Sequence, residues 1–282
     1  METLLNPRQT LHNPAELYLK WSGSAEKVKI GEDKYQTEGG YLYYTVKDDD
    51  TGEYERVKFD FPVAIYPLGE SYSIRGGVYD AQNKSNNTTV SSSEFGGWDE
   101  PVTVYEKGAG DDRGVVIARG TWEEIKDTVK AHKGKVGTNL YGICVLNGEK
   151  KIVRFEANGG VGRELSEYRR KTGAAFYNSP LIFDKAIYKV NGAVTYAVPV
   201  FKSGDAYDES TSKTVQEYAA KIAEYGNSLR GRNMNNADKA VITDAMSDED
   251  YEKVMSQETE VPGEAEASQE NNGSVDLSEV PF

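Results

Sequence analysis

Histidine and cysteine are nearly missing, with two of the first and one of the second in 282 residues. A histidine-based triad or metal cluster would need both His12 and His132, and neither has a partner at ligand spacing. The lone Cys144 lies in the apolar run LYGICVL, which excludes an internal disulfide and points to an inert, buried thiol. Long apolar stretches are missing too. Nothing approaches the ~18 residues that cross a bilayer as a helix, and METLLNPRQTLHNP has neither the basic start nor the apolar segment of a secretory leader. We therefore expect a cytoplasmic chain that carries no metal and no cofactor.

What is abundant is acid and tyrosine. The formal net charge of -13 is unevenly placed. From Asp244 to Phe282 there are 12 Asp or Glu against one Lys, which leaves 34 acids and 32 bases in the preceding 243 residues. A nearly neutral body thus carries an acidic tail, and the overall charge does not forbid a polyanionic partner. The expected division is a folded body over 1–232 and a flexible tail over 233–282, because SQETEVPGEAEASQENNGS cannot bury enough apolar surface to fold.

Along the body the pattern predicts an α+β fold, mainly β. HNPAELYLKW reads as a short helix with Asn13 as N-cap, Glu16 closing a capping box, and Leu17 and Trp21 on one face. GGYLYYTVK, RVKFDFPVAIYPL and SYSIRGGVYD read as strands of an antiparallel meander. Residues 81–93, AQNKSNNTTVSSS, read as a long polar loop. Further strands are expected at VTVYEK, VVIAR, TNLYGICVLN and KKIVRFEAN, with a helix from Thr121 between the second and third of these, capped through Glu124. VGRELSEYRRK predicts a helix with Val161, Leu165 and Tyr168 on one stripe, and Asn191-Gly192 predicts a hairpin. A last helix, capped by Thr214 and Glu217, aligns Val215, Tyr218, Ala219, Ile222, Tyr225 and Leu229.

No constellation asks for catalysis, so the chain is expected not to be an enzyme. ANGGVGRE lacks the Lys-Ser/Thr of a P-loop and reads as a tight strand-to-helix turn, and DDDTGE reads as a hairpin turn rather than a calcium loop. The 19 tyrosines are more suggestive. A phenol ring is rigid and amphipathic, so it can stand on a wet surface and present a face to an unpaired base, while neighbouring Lys and Arg follow the phosphates. The candidates for such contacts are Arg56 and Lys58 in YERVKFDF, Tyr72, Arg75 and Tyr79 in SYSIRGGVY, Trp98 after the polar loop, and Tyr141, Lys151 and Arg154 on later strands. Tyr72 shares its strand face with Ile74, so core and surface both stay open for it. Trp98 could contact a base or anchor its loop.

The chain ends in Asp276, Leu277, Ser278, Glu279, Val280, Pro281 and Phe282. An acidic segment closing on an aliphatic residue and Pro-Phe resembles the tails of bacterial and phage single-stranded DNA-binding proteins, although Ser278 interrupts the acids. HNPAELYLKWSG is similar to the opening of phage-encoded members. The resemblance implies a body built as an OB-fold, a Greek-key barrel laid over residues 41–156 with added strands and helices. It also implies sequence-tolerant binding of single-stranded DNA during replication, recombination or repair, and a tail that docks partner proteins of those processes. In that tail Asp276, Leu277, Glu279, Val280, Pro281 and Phe282 would make the contacts, with Phe282 in a pocket. Two other classes stay open: a phage structural or glycan-binding β protein, which would show no salt-dependent affinity for oligo-dT, and an enzyme of nucleic-acid processing, which would require carboxylates converging in a cleft.

Overall fold

The computed structural model describes residues 13–23, 26–29, 35–47, 51–80, 85–107, 114–191 and 194–245. Strands β1 (Leu17–Ser22), β2 (Glu26–Lys29), β3 (Tyr35–Glu38), β4 (Tyr41–Lys47) and β5 (Tyr54–Lys58) lead into a long central strand β6 (Val63–Asp80). After it come β7 (Ser85–Ser92), β8 (Val102–Glu106), β9 (Val115–Gly120), helix α1 (Trp122–Ala131), β10 (Lys135–Leu146), β11 (Glu149–Ala157) and α2 (Gly159–Thr172). A 3-10 turn, Gly173–Tyr177, precedes the hairpin of β12 (Leu181–Asn191) and β13 (Val194–Ser203), and α3 (Glu209–Ala245) comes last. The fold is α+β and mainly β.

The main sheet runs β5-β4-β1-β11-β10-β6-β7-β8-β9, with β12 branching from β6 and carrying β13, while β2 and β3 form a ribbon of their own. It is open and mixed rather than a closed antiparallel barrel, because β1 lies parallel to β11, Leu19 opposite Phe155. The spine is β6, which the sequence pattern divides into two strands at Pro67 and Gly69. One continuous strand forms because its partners change along it: Val63 to Ile65 pair with β12, the middle pairs with β10, and Arg75 to Asp80 pair with β7. Pro67 sits opposite Gly142 where the register shifts, a place that does not need its missing N–H.

Three apolar clusters hold the layers. On one face Leu19, Leu42, Ile65, Leu140, Val153 and Phe155 pack against Val161 and Leu165 of α2 and Phe183 of β12. On the other, Leu68, Tyr141, Ile143 and Ile152 meet the stripe Val215, Tyr218, Ile222, Tyr225 and Leu229 of α3. Under α1, Ile125 and Val129 cover Ile74, Val90, Phe95, Val102 and Val104. Each buried aliphatic contributes roughly 1.5–3 kcal/mol, so these stripes and not helix propensity fix the helices. Cys144 is buried, and its thiol is pushed up to about 11 by that burial, as an inert cysteine should be.

Helix α1 opens as expected, with Thr121 N donating to Glu124 Oε2 at 2.7 Å. Helix α2 ends at Gly173, whose φ of 56° suits glycine. The hairpin at 191–192 also forms, Asn191 opposite Val194, although 192–193 lie outside the described residues.

Several expectations fail for identifiable reasons. Of the stretch HNPAELYLKW, Leu17 to Trp21 belong to strand β1 and not to a helix. Leu17 and Trp21 share a face in either geometry, and Leu19, completely buried between them, decides for a strand. The capping residues serve otherwise: Asn13 Oδ1 accepts from Ala15 N at 3.0 Å, and Glu16 Oε1 accepts from Ile152 N at 3.0 Å. Within the expected loop 81–93, Ser85–Ser92 is strand β7, held by backbone pairing to β6 and β8 with Val90 as its buried contact. Helix α3 begins before Thr214, at Glu209, where Asp208 Oδ1 accepts from Thr211 N at 2.7 Å. It also runs past residue 232 to Ala245, and Asn233 is buried. Residues 246–282, including all of 276–282, lie outside the described residues.

Candidate nucleic-acid interface

Two clefts meet at the end of the sheet where α2 begins. One, of about 630 Å³, is lined by Glu70, Tyr72, Trp98, Arg163, Arg169 and Tyr196. The other, of about 610 Å³, is lined by Lys20, Tyr43, Arg75 and Glu156. Lys135, Val136 and Gly159 line both, so the two form one groove. Five bases and two acids line this groove, which is therefore basic on a chain that is acidic as a whole.

The first cleft owes its aromatic wall to EFGGWDEP. Phe95 exchanges both backbone hydrogen bonds with Tyr72, at 2.7 and 2.9 Å, and brings the Trp98 ring to 4.6 Å from that of Tyr72. The turn is held from behind. Glu100, 3 % exposed, accepts from Gly96 N at 3.0 Å and from Asn233 Nδ2 at 3.3 Å, and Arg230 pairs with Asp99 at 2.6 Å. Trp98 itself stays about half exposed. A rigid, presented indole is the arrangement that stacks on a flat ligand without losing side-chain freedom.

On the far wall, ANGGVGRE makes the turn from β11 into α2. Gly159 has φ +57°, and a Cβ at Gly162 would stand 2.8 Å from Ala157 O, so both positions need glycine. The first turn of α2 holds no acid, and Arg163 and Arg169 come next on the cleft side. Arg169 pairs with Glu70 and Arg75 pairs with Glu156, the latter at 2.8 Å.

Beyond the second cleft stands a tyrosine ledge. Arg56 lies 5.0 Å over the Tyr43 ring and Lys58 4.4 Å over Tyr41, with the two rings 5.8 Å apart. Burial pushes the Tyr41 phenol up, but hydrogen bonds with Ser22 and Arg56 and the charges of Lys58 and Arg56 outweigh it and hold the phenol below its usual value.

The sequence candidates divide accordingly. Tyr72, Arg75 and Trp98 line the groove, and Arg56 and Lys58 stand on its tyrosine rim. Tyr141 does not belong to a surface: it is completely buried under α3, where burial and Glu94 push its phenol far up. Arg154 is interior as well, 9 % exposed, donating to Asn139 Oδ1 at 2.8 Å and ion-paired to Glu94 at 3.6 Å. Both face the side of β10 and β11 that α3 covers, which strand alternation alone could not assign. Lys151 is away from the groove, bridging Glu16 at 3.3 Å and Glu149 at 3.1 Å. Tyr79 is in β6 opposite Asn86, and its side chain lies outside the described residues.

Sequence reasoning missed Lys20, Tyr41, Tyr43, Lys135, Arg163, Arg169 and Tyr196. A signal existed for some of them. Lys20 comes directly after buried Leu19 in a strand of period two, and Arg163 and Arg169 flank the Val161-Leu165 stripe of an amphipathic helix. Nothing local marks Lys135 or Tyr196.

Comparison with protein-family models, curated proteins and solved structures gives no match. Among the described residues no helix is long and apolar enough to cross a membrane, and no three His, Cys, Asp or Glu side chains gather to hold a metal ion.

Proposed function

We propose that this chain binds single-stranded DNA in the joined groove, without catalysis and with little regard to sequence. The carrying observation is the alternation of aromatic faces and cations along one path: Tyr41 and Tyr43 under Lys58 and Arg56, then Lys20, Arg75 and Lys135, then Tyr72 and Trp98 opposite Arg163 and Arg169. Stacked rings supply ~1–3 kcal/mol per base whatever its identity, and the cations follow the phosphates. The reading asks for this groove and not for a closed barrel, and it does not depend on the OB-type body implied by the resemblance. In a phage-infected or bacterial cytoplasm such a protein would cover exposed strands during replication, recombination or repair.

The test is a titration of the full chain against fluorescent oligo-dT and a duplex of equal length at several salt concentrations. Oligo-dT is expected to bind more tightly, with log affinity falling against log salt at a slope of roughly -2 to -3.5, the value for three to five phosphate contacts to a single strand. Duplex preference or a flat salt response would remove the reading in favour of the structural or glycan-binding class.

The recruitment role rests on the sequence of 276–282 alone. Removing Val280 to Phe282 is expected to abolish capture of replication or repair proteins while oligo-dT affinity stays within twofold, about 0.4 kcal/mol. Loss of both activities together would place the segment in the DNA-binding body instead.

A further inference from the structure

The Tyr72–Trp98 cleft holds a feature that stacking and phosphate contacts leave unexplained, and its interpretation rests on the single-strand reading. Glu70 lines that cleft with a side chain 7 % exposed. One carboxylate oxygen, Oε2, takes Arg169. The other, Oε1, is enclosed and has no hydrogen-bond partner among the described residues. Burial pushes the carboxyl above the usual carboxylate range despite the charge of Arg169. A buried acceptor without a donor is unfavourable, and a donor brought in by a ligand would relieve it.

The surroundings define that donor. Tyr72 and Trp98 offer a flat apolar face, while Lys135, Arg163 and Arg169 offer cations for a phosphate. We infer that this cleft seats one nucleotide whose base carries an exocyclic amino group, and that Glu70 is the specificity-determining residue that accepts a hydrogen bond from it. Entry adds a partner: Arg169 keeps its pair with Oε2, and the donorless Oε1 takes the amino group. Cytosine and adenine present N–H donors at the required edge. Uracil and thymine present a carbonyl there, whose lone pairs meet the carboxylate unfavourably.

The experiment compares full-length protein on oligo-dC and oligo-dU of equal length, at neutral pH and one salt concentration, by fluorescence anisotropy. The two pyrimidines stack similarly and differ at the edge in question. Oligo-dC is expected to bind about tenfold more tightly, the size of one charge-assisted hydrogen bond. Glu70→Gln is expected to bring the ratio to one or below, with thermal melting showing that the variant is folded. Equal affinities in the unaltered protein, or an unchanged ratio in a folded Glu70→Gln variant, overturn the inference while the single-strand reading stands. Absence of binding to either oligonucleotide overturns both.

Discussion

Glu94→Ala is expected to destabilise the fold by about 3–5 kcal/mol, because it strips a buried guanidinium of its counter-charge. Glu94 is the hub beneath α3. Its side chain is 10 % exposed, as is that of Arg154 at 3.6 Å. Tyr141 Oη donates to it at 2.6 Å, Tyr225 Oη at 3.3 Å and Asn139 Nδ2 at 3.4 Å, and Ser71 Oγ also bonds it. Burial and Glu94 together push the Tyr225 phenol up to about 12, so both phenols stay protonated and keep donating. Against a total of roughly 5–15 kcal/mol for a domain, the loss is large and should lower Tm by roughly 6–20 °C. Urea unfolding measures it directly. The double variant Glu94→Leu with Arg154→Met should recover only the part due to the unpaired guanidinium, because Tyr141 Oη, Asn139 Nδ2 and Ser71 Oγ still lose their acceptor. A single-variant loss under about 1 kcal/mol would mean that the carboxylate is solvated and the network contributes little.

Trp98→Ala should weaken oligo-dT binding by about fivefold to a hundredfold, the range for losing one stacked base, while Trp98→Phe keeps most of the affinity. The phenylalanine variant is the needed control, because Trp98 is half exposed and its turn is held by Glu100, Asn233 and Arg230, but the indole also packs on Tyr72, Phe95 and Trp122. The chain has three tryptophans, and Trp98 is the only one among the exposed large side chains. Quenching of intrinsic fluorescence by oligo-dT should therefore fall in Trp98→Phe, with a remainder from Trp21, which lines the second cleft. Unchanged affinity together with unchanged quenching would take the Tyr72–Trp98 wall out of the interface.

How far these residues could be read in advance depends on the range of the forces that place them. Helix α2, its Val161-Leu165 stripe and its stop at Gly173 are set by neighbours in sequence, and so is the capped start of α1. Strand β7 was hidden because SNNTTVSS holds its place through backbone pairing with β6 and β8, which asks little of its side chains. Strand β1 was hidden because an i, i+4 apolar pair fits both periods. The site shows the same division. Tyr72, Arg75 and Trp98 are marked by an aromatic-basic strand and a glycine-flanked indole. Tyr141 and Arg154 carry the same local marks and are interior, because the helix that covers them lies some 60 to 90 residues further along the chain. Glu70 and Glu94 gave no local sign at all: their roles come from partners at Arg169 and at Tyr141, Arg154 and Tyr225.

The parallel pairing of β1 with β11 governs the order in which a ribosome can deliver this surface. Leu17 meets Val153, and β1 is also the strand through which β4 and β5 join the sheet. During synthesis the tyrosine ledge therefore has no sheet to dock on until residues 153–155 have emerged, and non-local pairing of this kind forms slowly. A nascent chain stalled before that point holds Tyr41, Tyr43, Arg56 and Lys58 on the three strands β1, β4 and β5 alone, without the β11 pairing that joins them to the rest of the sheet. The joined groove is thus completed only after most of the body has been made.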